Sequence, residues 1–152
     1  MKIQEILNTG SIKVGLEVKN KKELLDEMVK LAVNSGKINN PGDARKEIFE
    51  REKIMSTGVG KGIALPHAKT NAVEDSIGAF ALLTTPVDYD SLDSEPVNLV
   101  FLLLGRENNV GNHLRLLSKI SRIMNNDALK LELMQQKTPD GVLEVFKKIE
   151  SQ

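Results

Sequence analysis

"VNLVFLLLG", Val97 to Gly105, is apolar at almost every position and closed by glycine. A strand with one wet face alternates apolar and polar residues, so a short run without alternation reads as a central strand covered on both faces. That reading sets the fold class as α/β: strands and helices mixed in one domain, with layers packed on a sheet. Upstream, "GIAL" and "SIGAFALLT" also read as strands, and "SIKVGLEV" alternates Ile12, Val14, Leu16 and Val18 as a half-buried strand does.

Helices fill the intervals. Asn20 with Glu23 makes a capping-box-like start, followed by Leu24, Leu25, Met28, Leu31 and Ala32 at helical spacing until Gly36. Asn40-Pro41 opens a second helix, with proline in its favoured first turn, that runs to about Met55. After the central strand come "NHLRLLSKISRIM", a shorter helical stretch "NDALKLELMQQ", and "TPDGVLEVFKKIE", in which Thr138 caps and Pro139 sits in the first turn. The chain holds no internal repeat, low-complexity tract or long linker, so a single domain is expected over residues 1–152.

Bulk properties narrow the function. With 152 residues, 40% hydrophobic and 28% charged, the chain can bury a substantial core. Twenty-one Lys and Arg balance 21 Asp and Glu, which argues against a nucleic-acid partner. The sequence has no cysteine, which excludes disulfides, thiolate metal sites and a cysteine nucleophile within this chain. A single Tyr and no Trp leave no aromatic platform for bases. No apolar run approaches the roughly 20 residues that span a bilayer. "MKIQEILNTG" is no signal peptide, and a cytoplasmic protein without membrane insertion is expected.

Two polar residues fall on apolar stripes. On the second helix Ala44, Ile48 and Met55 define the stripe, and Arg51 lies within it. Either its stem covers apolar surface while the guanidinium reaches water or a carboxylate, or it waits for an anion. On the helix beginning near Asn112, His113 projects into the stripe of Leu116, Leu117, Ile120 and Met124. It is either a satisfied core histidine or a functional one. Because this helix follows the central strand, its first turn should lie near that strand's carboxyl end, where α/β sheets build their sites. Free N–H groups at a helix start also suit phosphate.

The stretch "MSTGVGKGIALPHAKT", Met55 to Thr70, carries the other histidine. Gly58, Gly60 and Gly62 are either turn residues or a backbone nest for an anion; they fit neither GxxxxGK[ST] nor GxGxxG. Ser56 and Thr57 are either helix-end caps or hydroxyl donors. Pro66 pushes Leu65 to extended geometry, consistent with a strand that delivers His67 at its end.

Together these residues are recognisable. "REKIMSTGVGKGIALPHAKT" resembles the active-site signature of the sugar phosphotransferase system (PTS) enzyme IIA domains of the fructose–mannitol type, which include the nitrogen-related IIA proteins. "SLDSEPVNLVFLLL" and "HLRLLSKISRIM" are similar to segments these domains carry downstream, and the likeness spans essentially the whole chain. The resemblance implies a mixed β-sheet flanked by helices on both faces. It implies that His67 is phosphorylated through Nε2, receives the group from a histidine phosphocarrier such as HPr, and passes it to a IIB domain, commonly to a cysteine. Through IIB a membrane IIC permease would be served. Arg51 and His113 match the family's residues beside the phosphohistidine, and Ser56, Thr57, Gly58 and Gly60 are the phosphate-loop candidates. Leu65 and Ala68 stand where Ile and Gly are frequent. No cofactor or metal is implied.

Two functional readings share this machinery: a phosphoryl carrier for sugar uptake, and a regulator switched by phosphorylation of the same histidine. A metal hydrolase built on His67 and His113 is disfavoured, because the pair lacks short ligand spacing and no carboxylate is patterned with either.

Overall fold

The computed structural model describes residues 1–151. In chain order the elements are α1 (Ile3–Ile6), β1 (Ile12–Leu16), α2 (Lys21–Val33), α3 (Pro41–Ile54), β2 (Gly58–Gly60), β3 (Ile63–Ala64), β4 (His67–Thr70), β5 (Ile77–Val87), β6 (Val97–Arg106), α4 (Val110–Met124), α5 (Asp127–Met134) and α6 (Pro139–Glu150). The strands form one mixed sheet in the order β1-β5-β6-β3-β2, with β4 following β3 along the same edge of β6. β5 pairs with β6 antiparallel, while β1 is parallel to β5 and both β3 and β4 are parallel to β6.

β6 is the central covered strand that its sequence predicts. Alternate side chains point into two separate cores. Val100, Leu102 and Leu104 pack with α2 and α3 through Leu24, Met28, Ala44 and Ile48. Leu99, Phe101 and Leu103 pack with α1, α4 and α6 through Ile3, Ile6, Leu116, Ile120 and Phe146. Helices therefore cover both faces. On the second face Phe80, Phe101 and Phe146 meet edge to face. Burying each such ring or leucine stabilises the fold by about 1.5–3 kcal/mol.

Helix starts follow local chemistry. Asn20 Oδ1 accepts from Glu23 N at 2.8 Å, Asn40 Oδ1 from Asp43 N at 3.1 Å, and Thr138 Oγ1 from Gly141 N at 3.0 Å. The chain leaves α2 through Gly36, whose φ of +78° favours glycine.

Three expectations need correction. First, the apolar run ending in His67 is not one strand. Leu65 and Pro66 break it, and His67 opens β4 instead of closing β3. Second, the alternating N-terminal strand stops at Leu16, short of Val18; Gly15, at φ +79°, shifts its register against β5. Third, Met55 is 59% exposed. The helix ends at Ile54 and Met55 turns extended, so it leaves the buried face, and Glu52 takes the place that helical spacing from Ala44 and Ile48 assigns.

Candidate active site

β4 begins opposite Leu103, near the carboxyl end of β6, and its other edge meets no strand among the described residues. Along it runs a cleft walled by α3 (Glu47, Glu50, Arg51, Ile54) and α4 (His113, Leu114, Leu117), with His67, Ala68, Lys69 and Glu107 between them. The structure thus brings Arg51, His67 and His113 together from segments far apart in sequence.

Pro66 precedes His67 and sets its approach; the ring is half-buried. His67 Nδ1 lies 2.8 Å from the Leu65 carbonyl. A carbonyl only accepts, so Nδ1 carries the proton and the lone pair of the neutral ring is on Nε2. Burial pushes the His67 pKa below its ordinary 6.5; the Leu65 bond opposes this, the Arg51 charge adds to it, and the Glu52 charge opposes it more weakly. The net result is a neutral imidazole at neutral pH with Nε2 unprotonated. Arg51 Nη1 donates to the Met55 carbonyl at 3.0 Å, and among the described residues its other donors have no partner.

His113 is 4% exposed, and its ring centre is 5.9 Å from that of His67, tilted by 48°. Its Nδ1 is buried without a hydrogen-bond partner among the described residues. The ring packs on Gly105 so closely that a Cβ there would overlap it. Gly105 does not close the strand, which runs on to Arg106; its missing side chain makes room for the second histidine.

Burial first, then the charges of His67 and Lys69, push the His113 pKa from 6.5 down to about 4. A depressed histidine pKa means that the unfolded chain binds the proton more readily than the native one. Stability is expected to be full above 6.5 and to be lost as pH falls towards and through about 4. Denaturant titrations across that window check this, with His113→Asn giving the flatter profile.

The loop candidates do not join the cleft. Thr57, 3% exposed, donates from N to Glu52 Oε2 at 2.7 Å and from Oγ1 to Glu52 Oε1 at 2.5 Å. Ser56 Oγ donates to the Tyr89 carbonyl at 3.0 Å and accepts from Gly58 N at 3.1 Å. Gly58 and Gly60 form β2; a Cβ on Gly58 would strike Ser91, and Gly60, at φ +100°, faces Asp93. In this structure the two hydroxyls tether the crossing, and the glycines lie outside the cleft lining.

Sequence reading also missed Glu52, Gly105 and the acidic and apolar walls of the cleft. Glu52 had a signal, because it lies four residues after Ile48 on the face of Ala44 and Ile48. Among the described residues no three His, Asp or Glu side chains gather as a metal site requires, and no helix is long and apolar enough to cross a membrane.

Residues 5–149 match the model of the phosphoenolpyruvate-dependent sugar phosphotransferase system, EIIA 2, family. The chain belongs to that family. This EIIA 2 chain is 36% identical over 146 residues to a PTS system fructose-specific EIIABC component from Bacillus subtilis (strain 168), a match covering 96% of the chain and 23% of that relative. It thus spans less than a quarter of the length of that curated relative. The fold matches the crystal structure of nitrogen regulatory protein IIA-Ntr from Neisseria meningitidis with a TM-score of 0.87 and 35% identity, covering 95% of this EIIA 2 chain and 98% of that one. Mannitol IIA from Escherichia coli, solved in complex with phosphorylated enzyme IIB, shares the fold with a TM-score of 0.79 at 20% identity, covering 93% of this chain and 97% of that one.

Proposed function

We propose that this chain is a cytoplasmic phosphoryl carrier of the sugar phosphotransferase system. His67 accepts the group from a phosphorylated histidine carrier of the HPr kind and passes it to the cysteine of a IIB domain, which serves a membrane permease. The observation that carries the reading is the hydrogen bond between His67 Nδ1 and the Leu65 carbonyl. It leaves Nε2 as the nucleophilic atom of a neutral ring, beside a guanidinium in an open cleft.

In the accepting step the Nε2 lone pair forms the new N–P bond while the N–P bond to the donor imidazole breaks, and the donor nitrogen keeps that electron pair. No proton has to leave Nε2. In the onward step a thiolate sulfur on IIB forms the S–P bond, and the pair of the broken bond returns to Nε2. Such transfers depend mainly on alignment and charge stabilisation. Arg51 supplies a planar donor fork for the phosphoryl oxygens, and His113 supplies a second ring beside them.

The walls of the cleft fit protein partners. Ile54 and Leu114 are 79% and 58% exposed, and along the lining Glu47, Glu50 and Glu107 outnumber the cations Arg51 and Lys69. A donor with a basic, partly apolar face is complementary to this rim. Its association rate is expected to fall steeply between low and physiological salt, while the transfer rate within the complex changes little. Stopped-flow measurements at several ionic strengths check this.

A second reading stays in place because the chain aligns with nearly the whole of a nitrogen regulatory IIA protein. There, phosphate on His67 would add negative charge to a docking face and change partner choice. Reconstitution separates the two. The carrier reading requires labelled phosphate to pass from the carrier through this chain to a IIB domain of the same cell and on to sugar. Uptake on His67 without transfer to any such IIB domain selects the regulatory reading.

A further inference from the structure

We propose that Glu52 is a positioning residue for the transfer: it clamps the crossing from α3 to β2 and so fixes the Met55 carbonyl that orients the Arg51 guanidinium. This rests on the phosphoryl-carrier reading.

Glu52 is placed where a carboxylate is least expected. It is 8% exposed and lies in the last turn of α3, where the helix dipole disfavours negative charge. Such a group persists only when its lone pairs are satisfied. Here they are. Oε2 accepts from Thr57 N at 2.7 Å and from Lys21 Nζ at 2.9 Å, and Oε1 accepts from Thr57 Oγ1 at 2.5 Å and from Tyr89 Oη at 3.1 Å. The donors come from the start of α2, from the crossing itself and from the segment after β5, so one carboxylate joins three parts of the chain.

The Tyr89 side has further support. Tyr89 is fully buried, and burial followed by the Glu52 charge keeps its hydroxyl protonated well above the usual range. The Lys21 ammonium lies 4.5 Å over its ring. Ser56 Oγ adds another tie by donating to the Tyr89 carbonyl at 3.0 Å.

The consequence falls on Met55. This residue sits between the last helical residue, Ile54, and two tethered ones, Ser56 and Thr57, although its own side chain is exposed. Its carbonyl direction is therefore set from both ends, and Arg51 Nη1 donates to it at 3.0 Å. Arg51 is a long, half-buried side chain, and a fixed acceptor limits where its fork sits in the cleft it shares with His67. Without the clamp, the last turn of α3 frays as helix ends do, and the acceptor moves.

Glu52→Gln keeps the shape but turns an amide NH2 toward donors. The single-turnover rate of phosphoryl acceptance at saturating donor is expected to fall about 10- to 100-fold. The half-saturating donor concentration should stay within about twofold, because Glu52 does not line the cleft. A double-mutant cycle supplies a readout that a merely structural role would not move. In an Arg51→Gln background, Glu52→Gln should slow transfer no further.

Wild-type rates in Glu52→Gln, or effects that multiply in the cycle, overturn the proposal. Tyr89→Phe, which removes one donor and keeps the ring, serves if Glu52→Gln does not fold. It should lose about threefold or more and show the same non-additivity; a wild-type rate overturns the proposal. If the wild-type chain takes up no phosphate, the carrier reading falls as well. Normal uptake by wild type with normal rates in the variants removes the Glu52 proposal alone.

Discussion

His67→Gln is expected to take up no phosphate from a phosphorylated carrier that labels the wild-type chain stoichiometrically. A glutamine amide has no basic lone pair to stand in for Nε2. The second histidine is not expected to replace it, because His113 is only 4% exposed and offers little surface to a docking donor. The substitution should leave the fold nearly intact. His67 is half-buried, and losing its bond to the Leu65 carbonyl costs about 1 kcal/mol. Intact-mass measurement after incubation, paired with a denaturant midpoint, separates lost chemistry from lost structure. Stoichiometric phosphate on the variant would move the nucleophile elsewhere.

Arg51→Gln carries the second-largest expected effect. Removing a donor aimed at developing phosphoryl charge should slow acceptance by about 10²- to 10³-fold. Its pH dependence should also move in a defined direction. The Arg51 cation is one of the causes holding the His67 pKa below 6.5, so its loss raises that pKa. At any given acidic pH a larger share of His67 is then protonated and unable to attack, and the acid limb of the rate profile shifts to higher pH. Arg51→Lys keeps the charge and loses the fork. It should retain the wild-type limb with an intermediate rate. Single-turnover rates measured across the acid range test both points, and an unmoved limb in Arg51→Gln would contradict the electrostatic role.

Much of this architecture can be read in the chain, and the reasons are physical. β6 announces itself because burial on both faces removes the polar alternation that an exposed strand needs. Arg51 and His113 stand out because a charge or an imidazole on an apolar helical stripe has to be accounted for. His67 is marked by proline, by the extended geometry before it and by a signature that resembles one family. Residues whose meaning depends on distant partners are the ones that escape. Glu52 falls on the face of Ala44 and Ile48, but why a carboxylate stands there shows only when Lys21, Thr57 and Tyr89 converge on it.

Gly105 shows a related limit. At the end of an apolar run it reads as a terminator, and its contact with His113 exists only once α4 folds back over β6. The glycines at 58 and 60 also have a packing reason that no local pattern shows. Ser91 and Asp93 stand where their side chains would be. β4 is short and lacks apolar alternation, so nothing local distinguishes it from a loop; its pairing with β6 makes it a strand.

One atom of one ring is assigned the phosphate, and phosphorus–nitrogen coupling in chains carrying 15N-labelled histidine can locate it. After phosphorylation by the carrier, the coupling should appear at Nε2 of His67, with Nδ1 still protonated toward the Leu65 carbonyl. Phosphorus bonded to Nδ1, to His113 or to a hydroxyl oxygen would contradict the account.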